Sequence, residues 1–122
     1  MSNELLNSLT GLLPNLQYAA GRVTFSGGTP SLAAKSGNPL SDQLQVTITD
    51  DATGKVTISV ANFGDPSQTV VGMGTAEVQD TVLATSVGSW SGNTASVAYN
   101  ITTAGTLADV DFNYLIVGFP TT

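Results

Sequence analysis

Leu44-Gln45-Val46-Thr47-Ile48-Thr49, then Asp50-Asp51-Ala52-Thr53-Gly54, then Lys55-Val56-Thr57-Ile58-Ser59-Val60: this stretch decides the fold class. Leu44, Val46 and Ile48 alternate with Gln45, Thr47 and Thr49, and Val56, Ile58 and Val60 repeat the pattern after the break. A period of two puts every apolar side chain on one face of a strand, which is the signature of a half-buried β-strand. The five residues between the runs are turn formers, with Gly54 able to supply a positive φ. The segment therefore reads as an antiparallel β-hairpin.

The same period extends in both directions. Upstream, Val23 and Phe25 lie on one side of 20–26, with Arg22 and Thr24 on the other. Downstream, a weaker strand is expected near 69–73, and a Val- and Thr-rich one over 78–87. Val97, Tyr99 and Ile101 then alternate, and Val110, Phe112, Tyr114 and Ile116 form the last strand. About seven short strands at roughly ten-residue spacing predict an all-β fold, an antiparallel β-sandwich. Its core face is expected to hold these alternating residues together with Leu44, Val46, Ile48, Val56, Ile58 and Val60. Residues 27–42, with Gly-Gly-Thr-Pro at one end and Ser-Gly-Asn-Pro near the other, read as a long loop. Asn62-Phe63-Gly64-Asp65-Pro66 reads as another, and 88–93 around Trp90 as a turn.

The first residues follow a different rule. Leu5, Leu6, Leu9, Leu12 and Leu13 recur at helical spacing, Ser2 or Asn3 can cap, and Gly11 with Pro14 can terminate. A short N-terminal helix or arm over 1–15 is expected, followed by one sandwich domain over 16–122. A helix of about ten residues is marginal alone in water, so its leucine stripe needs a surface. Its own sandwich is one candidate, and a neighbouring subunit or a larger shell is the other.

Composition narrows the function. The chain has 122 residues, long enough for one core. Only 10% are charged, against about 25% in ordinary domains. Nine acids face three bases, Arg22, Lys35 and Lys55, for a net charge of −6. Three scattered cations cannot neutralise a run of phosphates or an anionic membrane, so neither nucleic acid nor membrane is expected as a partner. Neither Cys nor His occurs, which removes disulfides, thiolate nucleophiles and the commonest general base and metal ligand. The opening Met-Ser-Asn-Glu lacks the basic region of a cleaved secretory signal, and no apolar run reaches the ~18 residues of a membrane span.

Five candidate sites stand beside ordinary structural readings. Asp109 and Asp111 share a strand face in this reading, and paired carboxylates can hydrolyse glycosides when one is kept protonated. With Val110 and Phe112 on the core face, both are expected in water, so no catalysis is expected. Asp50 and Asp51 could offer oxygen ligands to Ca²⁺, but their spacing is ordinary turn chemistry. Gly72-Met73-Gly74 lacks the further glycine and the lysine of a phosphate loop, and Asn100-Ile101-Thr102 is a glycosylation sequon within a strand. No cofactor is expected. Trp90, the single tryptophan, is either a surface platform for a sugar ring or a plug at one end of the sandwich.

Gly74, Asp80-Thr81-Val82-Leu83-Ala84-Thr85, Asn93 and Phe112-Asn113-Tyr114-Leu115-Ile116-Val117 together resemble a β cassette near the C-termini of many tailed-phage structural proteins. The resemblance covers about 45 of the 122 residues. An Asp-Pro-Gly turn often found before the cassette's last strand is replaced here by Ala104-Gly105, which leaves the turn type open. The resemblance carries no catalytic residue. It implies a virion surface protein, most simply a capsid decoration or cement protein on a phage head. Its partners would be the major capsid protein and further copies of itself, as trimers or dimers. A receptor- or glycan-binding fibre or spike tip is the alternative.

Overall fold

The computed structural model describes residues 17–38, 45–61, 63, 69–91 and 94–119. Among the described residues the fold is all-β, with nine strands in two antiparallel sheets. In chain order they are β1 Gln17–Ser26, β2 Thr29–Asn38, β3 Gln45–Ala52, β4 Lys55–Ala61, β5 Thr69–Ala76, β6 Thr81–Ser91, β7 Thr94–Thr103, β8 Thr106–Leu107 and β9 Phe112–Phe119. One sheet runs β2-β1-β9-β5 and the other β3-β4-β7-β6, with β8 paired to β7. The expected helix over 1–15, its five leucines and Leu44 lie outside the described residues.

The alternating pattern places the core where expected. Val23, Val46, Val56, Ile58, Val60, Val97, Tyr99, Ile101, Phe112, Tyr114 and Ile116 are buried, and Phe25, Ile48 and Val110 pack against them partly buried. Both sheets contribute, giving a sandwich-like arrangement with one shared core. Tyr99 and Phe112 meet across it with ring centroids 5.1 Å apart. Each large side chain removed from water in this way contributes about 2–3 kcal/mol.

Several boundaries differ from the sequence reading. The expected loop over 27–42 is mostly strand β2. Gly27 and Gly28, with φ of 58° and 83°, reverse the chain in two residues. Positive φ at both central residues matches the right-handed twist of the flanking strands, and Ser26 pairs with Thr29 immediately beyond. Pro30 is accepted because β2 is an edge strand, where a missing N–H breaks no ladder.

The β3–β4 turn is shorter than expected. Pairing continues to Ala52 opposite Lys55, with an irregularity between Asp50 and Ala52. Gly54 has φ 71° and is buried, and a Cβ there would lie 2.7 Å from the Ile101 carbonyl oxygen. Trp90 lies within β6, opposite Ala95, rather than in a turn. Phe63, expected in a loop, is fully buried in the core with Ala19 and Ala95.

Candidate functional site

Asp109 and Asp111 do not share a strand face. They occupy the irregular link between β8 and β9, and each accepts a hydrogen bond from a distant backbone amide. Gly54 N–H donates to Asp109 Oδ1 at 2.8 Å, and Phe25 N–H donates to Asp111 Oδ1 at 2.8 Å. The expectation of two solvated strand charges is thus corrected. A carboxylate is acceptor-only and short, so it can satisfy an amide that no strand neighbour reaches. Asp109 holds the β3–β4 turn, and Asp111 holds the end of β1.

Around Gly54 three segments converge. Ile101 N–H donates to the Gly54 carbonyl at 2.7 Å, and Ala108 N–H donates to the Ile101 carbonyl at 3.0 Å. Beside Asp111, Arg22 makes a two-point contact with Glu77, Nε to Oε2 at 2.6 Å and Nη2 to Oε1 at 2.8 Å. Arg22 Nη2 also stands 3.7 Å from Asp111 Oδ2. The hydrogen bond from Arg22 holds the Glu77 carboxyl below its ordinary range, and the Arg22 guanidinium is raised in return. These carboxylates act as anchors, Asp109 and Asp111 on backbone amides and Glu77 on Arg22.

The remaining candidates are scattered. Asp51 Oδ2 accepts from Thr57 Oγ1 at 2.6 Å, across the hairpin. No group of three or more acidic ligands suited to a metal ion occurs among the described residues. Gly72 and Gly74 lie on β5, where they let the edge strand approach the second sheet. Asn100 is exposed on the outer face of β7. The side chain of Trp90 and all of Leu5, Leu6, Leu9, Leu12 and Leu13 lie outside the described residues.

What sequence reasoning missed is an apolar outer face. Strand pairing sets Ala20, Leu115 and Met73 in one row across β1, β9 and β5, with Val117 and Val71 in the adjoining row. Met73 is 48% exposed and Val71 40%, while Leu115 and Val117 are half-buried. A shallow depression of about 220 Å³ opens beside Met73 and Leu115, lined also by Thr75 and Asn113. On the other sheet, Val82 and Leu107 flank Thr102 in a single row and are both exposed. The signal was present in Val70-Val71 and Leu115-Ile116-Val117, where apolar residues fill both faces of a strand instead of alternating.

No family model, curated protein or solved structure matches the chain in comparisons with known proteins. Fold and site together define a small all-β module with two antiparallel sheets, carboxylate-anchored turns and an apolar outer face.

Proposed function

We propose that this chain is a structural adhesion module of a virion: a decoration protein on the outside of a phage head, acting by contact rather than by chemistry. The observation that carries the reading is the apolar outer face built on Val71, Met73, Leu115 and Val117. Contiguous apolar surface on a small domain marks a binding surface more often than chance exposure. The sparse charge agrees with it, because three cations leave little electrostatic attraction to an acidic partner. The resemblance of 74–117 to phage structural cassettes supplies the virion context. The partners are then the major capsid protein and further copies of this chain, with a trimer favoured.

Apolar contact predicts weak salt dependence, since ionic strength screens mainly exposed charges. Particles carrying the protein are to be washed from low to high ionic strength, and the retained fraction measured. Retention across the series is the expected result. Steep release with salt would point to the acids meeting a basic shell and overturn apolar docking. Recovery at a few copies per particle, with glycan binding lost in Trp90→Ala, would favour the fibre-tip alternative.

A further inference from the structure

We infer that the open edge of β6 pairs antiparallel with the same strand of a second copy, joining two β3-β4-β7-β6 sheets across a two-fold axis at Ala84. The surface is separate from the apolar face of the other sheet, and it points to a dimer where the resemblance favours a trimer.

Main-chain geometry shows which groups of β6 are open. Among the described residues β6 pairs only with β7. Ala104 N–H donates to the Asp80 carbonyl at 3.1 Å, which makes these two a hydrogen-bonded pair just before the strand begins. Bonded and non-bonded pairs alternate along an antiparallel ladder. Val82, Ala84 and Ser86 therefore turn their main-chain groups to Thr102, Asn100 and Ala98. Thr81, Leu83 and Thr85 direct theirs away from the sheet. Ile101, opposite Leu83, agrees: its N–H donates to Gly54 and its carbonyl accepts from Ala108, both away from β6.

The other edge strands carry features that discourage pairing. β2 holds Pro30 and Lys35, and its register with β1 shifts beside Val23. β3 ends in Asp50 and Asp51, with an irregularity of its own. β5 is tied to the second sheet by Thr85 and Tyr99, through the Gly72 and Met73 carbonyls. β6 has neither proline nor charge in its 11 residues. Val82 is 61% exposed, and Ala84, Thr85 and Ser86 are exposed beside it. An uncharged edge with free donors and acceptors is completed by another strand.

The same strand of a second copy fits that edge. The chain carries a net charge of −6, so two copies approach best where neither presents an acid. An axis at Ala84 sets Leu83 opposite Thr85 and Val82 opposite Ser86, with only the small alanine meeting itself. Leu83 and Thr85 then exchange their open main-chain bonds, and the two-fold repeats the exchange.

The test uses the full chain in solution, without particles, so it stands or falls apart from decoration. Sedimentation is expected to show a dimer. Ala84 is exposed, so replacing it leaves the core untouched. Ala84→Lys and Ala84→Glu each set like charges directly opposite one another. Each should be monomeric at concentrations where the parent is wholly dimeric, and mixing the two should restore a heterodimer. Thr47→Lys, on edge strand β3 of the same sheet, should leave the dimer intact. Register is read with cysteine, which the parent lacks. Opposed residues of a non-bonded pair lie within disulfide reach. Ala84→Cys should therefore crosslink to itself, and Val82→Cys should link to Ser86→Cys faster than to itself. A monomeric parent, or a dimer that both charged variants leave intact, would overturn the inference.

Discussion

The Tyr99 hydroxyl on β7 donates to the Met73 carbonyl on β5 at 2.9 Å, tying one sheet to the edge of the other. Thr85 Oγ1 donates to the neighbouring Gly72 carbonyl at 3.0 Å. The edge strand β5 is thereby held by hydrogen bonds from the second sheet as well as by its pairing with β9. The approach depends on glycine, since a Cβ at Gly72 would lie 2.5 Å from Val97 Cγ1.

Two conservative substitutions should therefore act with opposite sign. Tyr99→Phe removes the donor to Met73 and should destabilise by about 1 kcal/mol, as for a typical buried hydrogen bond. Tyr114 is also buried, but its hydroxyl has no hydrogen-bond partner among the described residues. Tyr114→Phe should be neutral or stabilising by up to about 1 kcal/mol, because it deletes an unsatisfied polar group. Urea denaturation of both variants beside the parent checks this, and equal losses would contradict it.

The same two tyrosines set the alkaline limit. Burial raises the Tyr114 hydroxyl to about 12, and burial, with a smaller contribution from Tyr114, raises Tyr99 further. In the unfolded chain both ionise near 10. Above that pH the unfolded state releases protons that the folded state retains, so stability falls as pH rises from about 10 toward 12. Denaturation midpoints at pH 8, 10 and 11 should show the fall, and it should shrink in Tyr99→Phe.

Asp109→Ala is expected to cost about 2 kcal/mol, the range for hydrogen bonds to charged groups. It strips the acceptor from Gly54 N–H at the buried β3–β4 turn. Asp109→Asn keeps an acceptor and should cost less. Thermal unfolding ranks the pair, and an Ala variant as stable as the parent would return Asp109 to a solvated role.

Ala104 and Gly105 both have positive φ, 51° and 83°, between Thr103 and Thr106, which pair. That is a two-residue turn of the mirror-image kind favoured in hairpins. Alanine there carries a penalty of about 1 kcal/mol that asparagine largely escapes. Ala104→Asn should raise the unfolding midpoint, and Ala104→Val should lower it.

Acid should loosen the Arg22 contact. Hydrogen bonding to Arg22 lowers the folded-state pKa of Glu77, so the contribution is present above its unfolded value near 4.3 and fades as pH falls through the folded value. Glu77→Gln should flatten the acid limb of the stability curve without moving the alkaline one.

The strand faces were legible because alternation is a local property. Val56, Ile58 and Val60, and likewise Val97, Tyr99 and Ile101, declare their inward face within a few residues, and all six are buried. Composition likewise showed at once a chain poor in bases and without histidine.

The sites were less legible, for a physical reason that particular residues show. Asp111 finds its amide donor on Phe25, 86 positions away, and Asp109 finds Gly54, 55 positions away. A carboxylate two residues from another looks the same in sequence whether it meets water or a distant N–H. Gly27-Gly28 reads as part of a long loop until the pairing of β1 with β2 shows a two-residue turn with positive φ at both positions. Phe63 sits among turn formers, yet the space between the sheets takes it in. Alternation along a strand is set by the backbone's own geometry and belongs to the sequence alone. Which amide a carboxylate reaches, and which apolar face stays open, belongs to the tertiary structure, because only packing brings segments far apart in the chain within hydrogen-bonding distance.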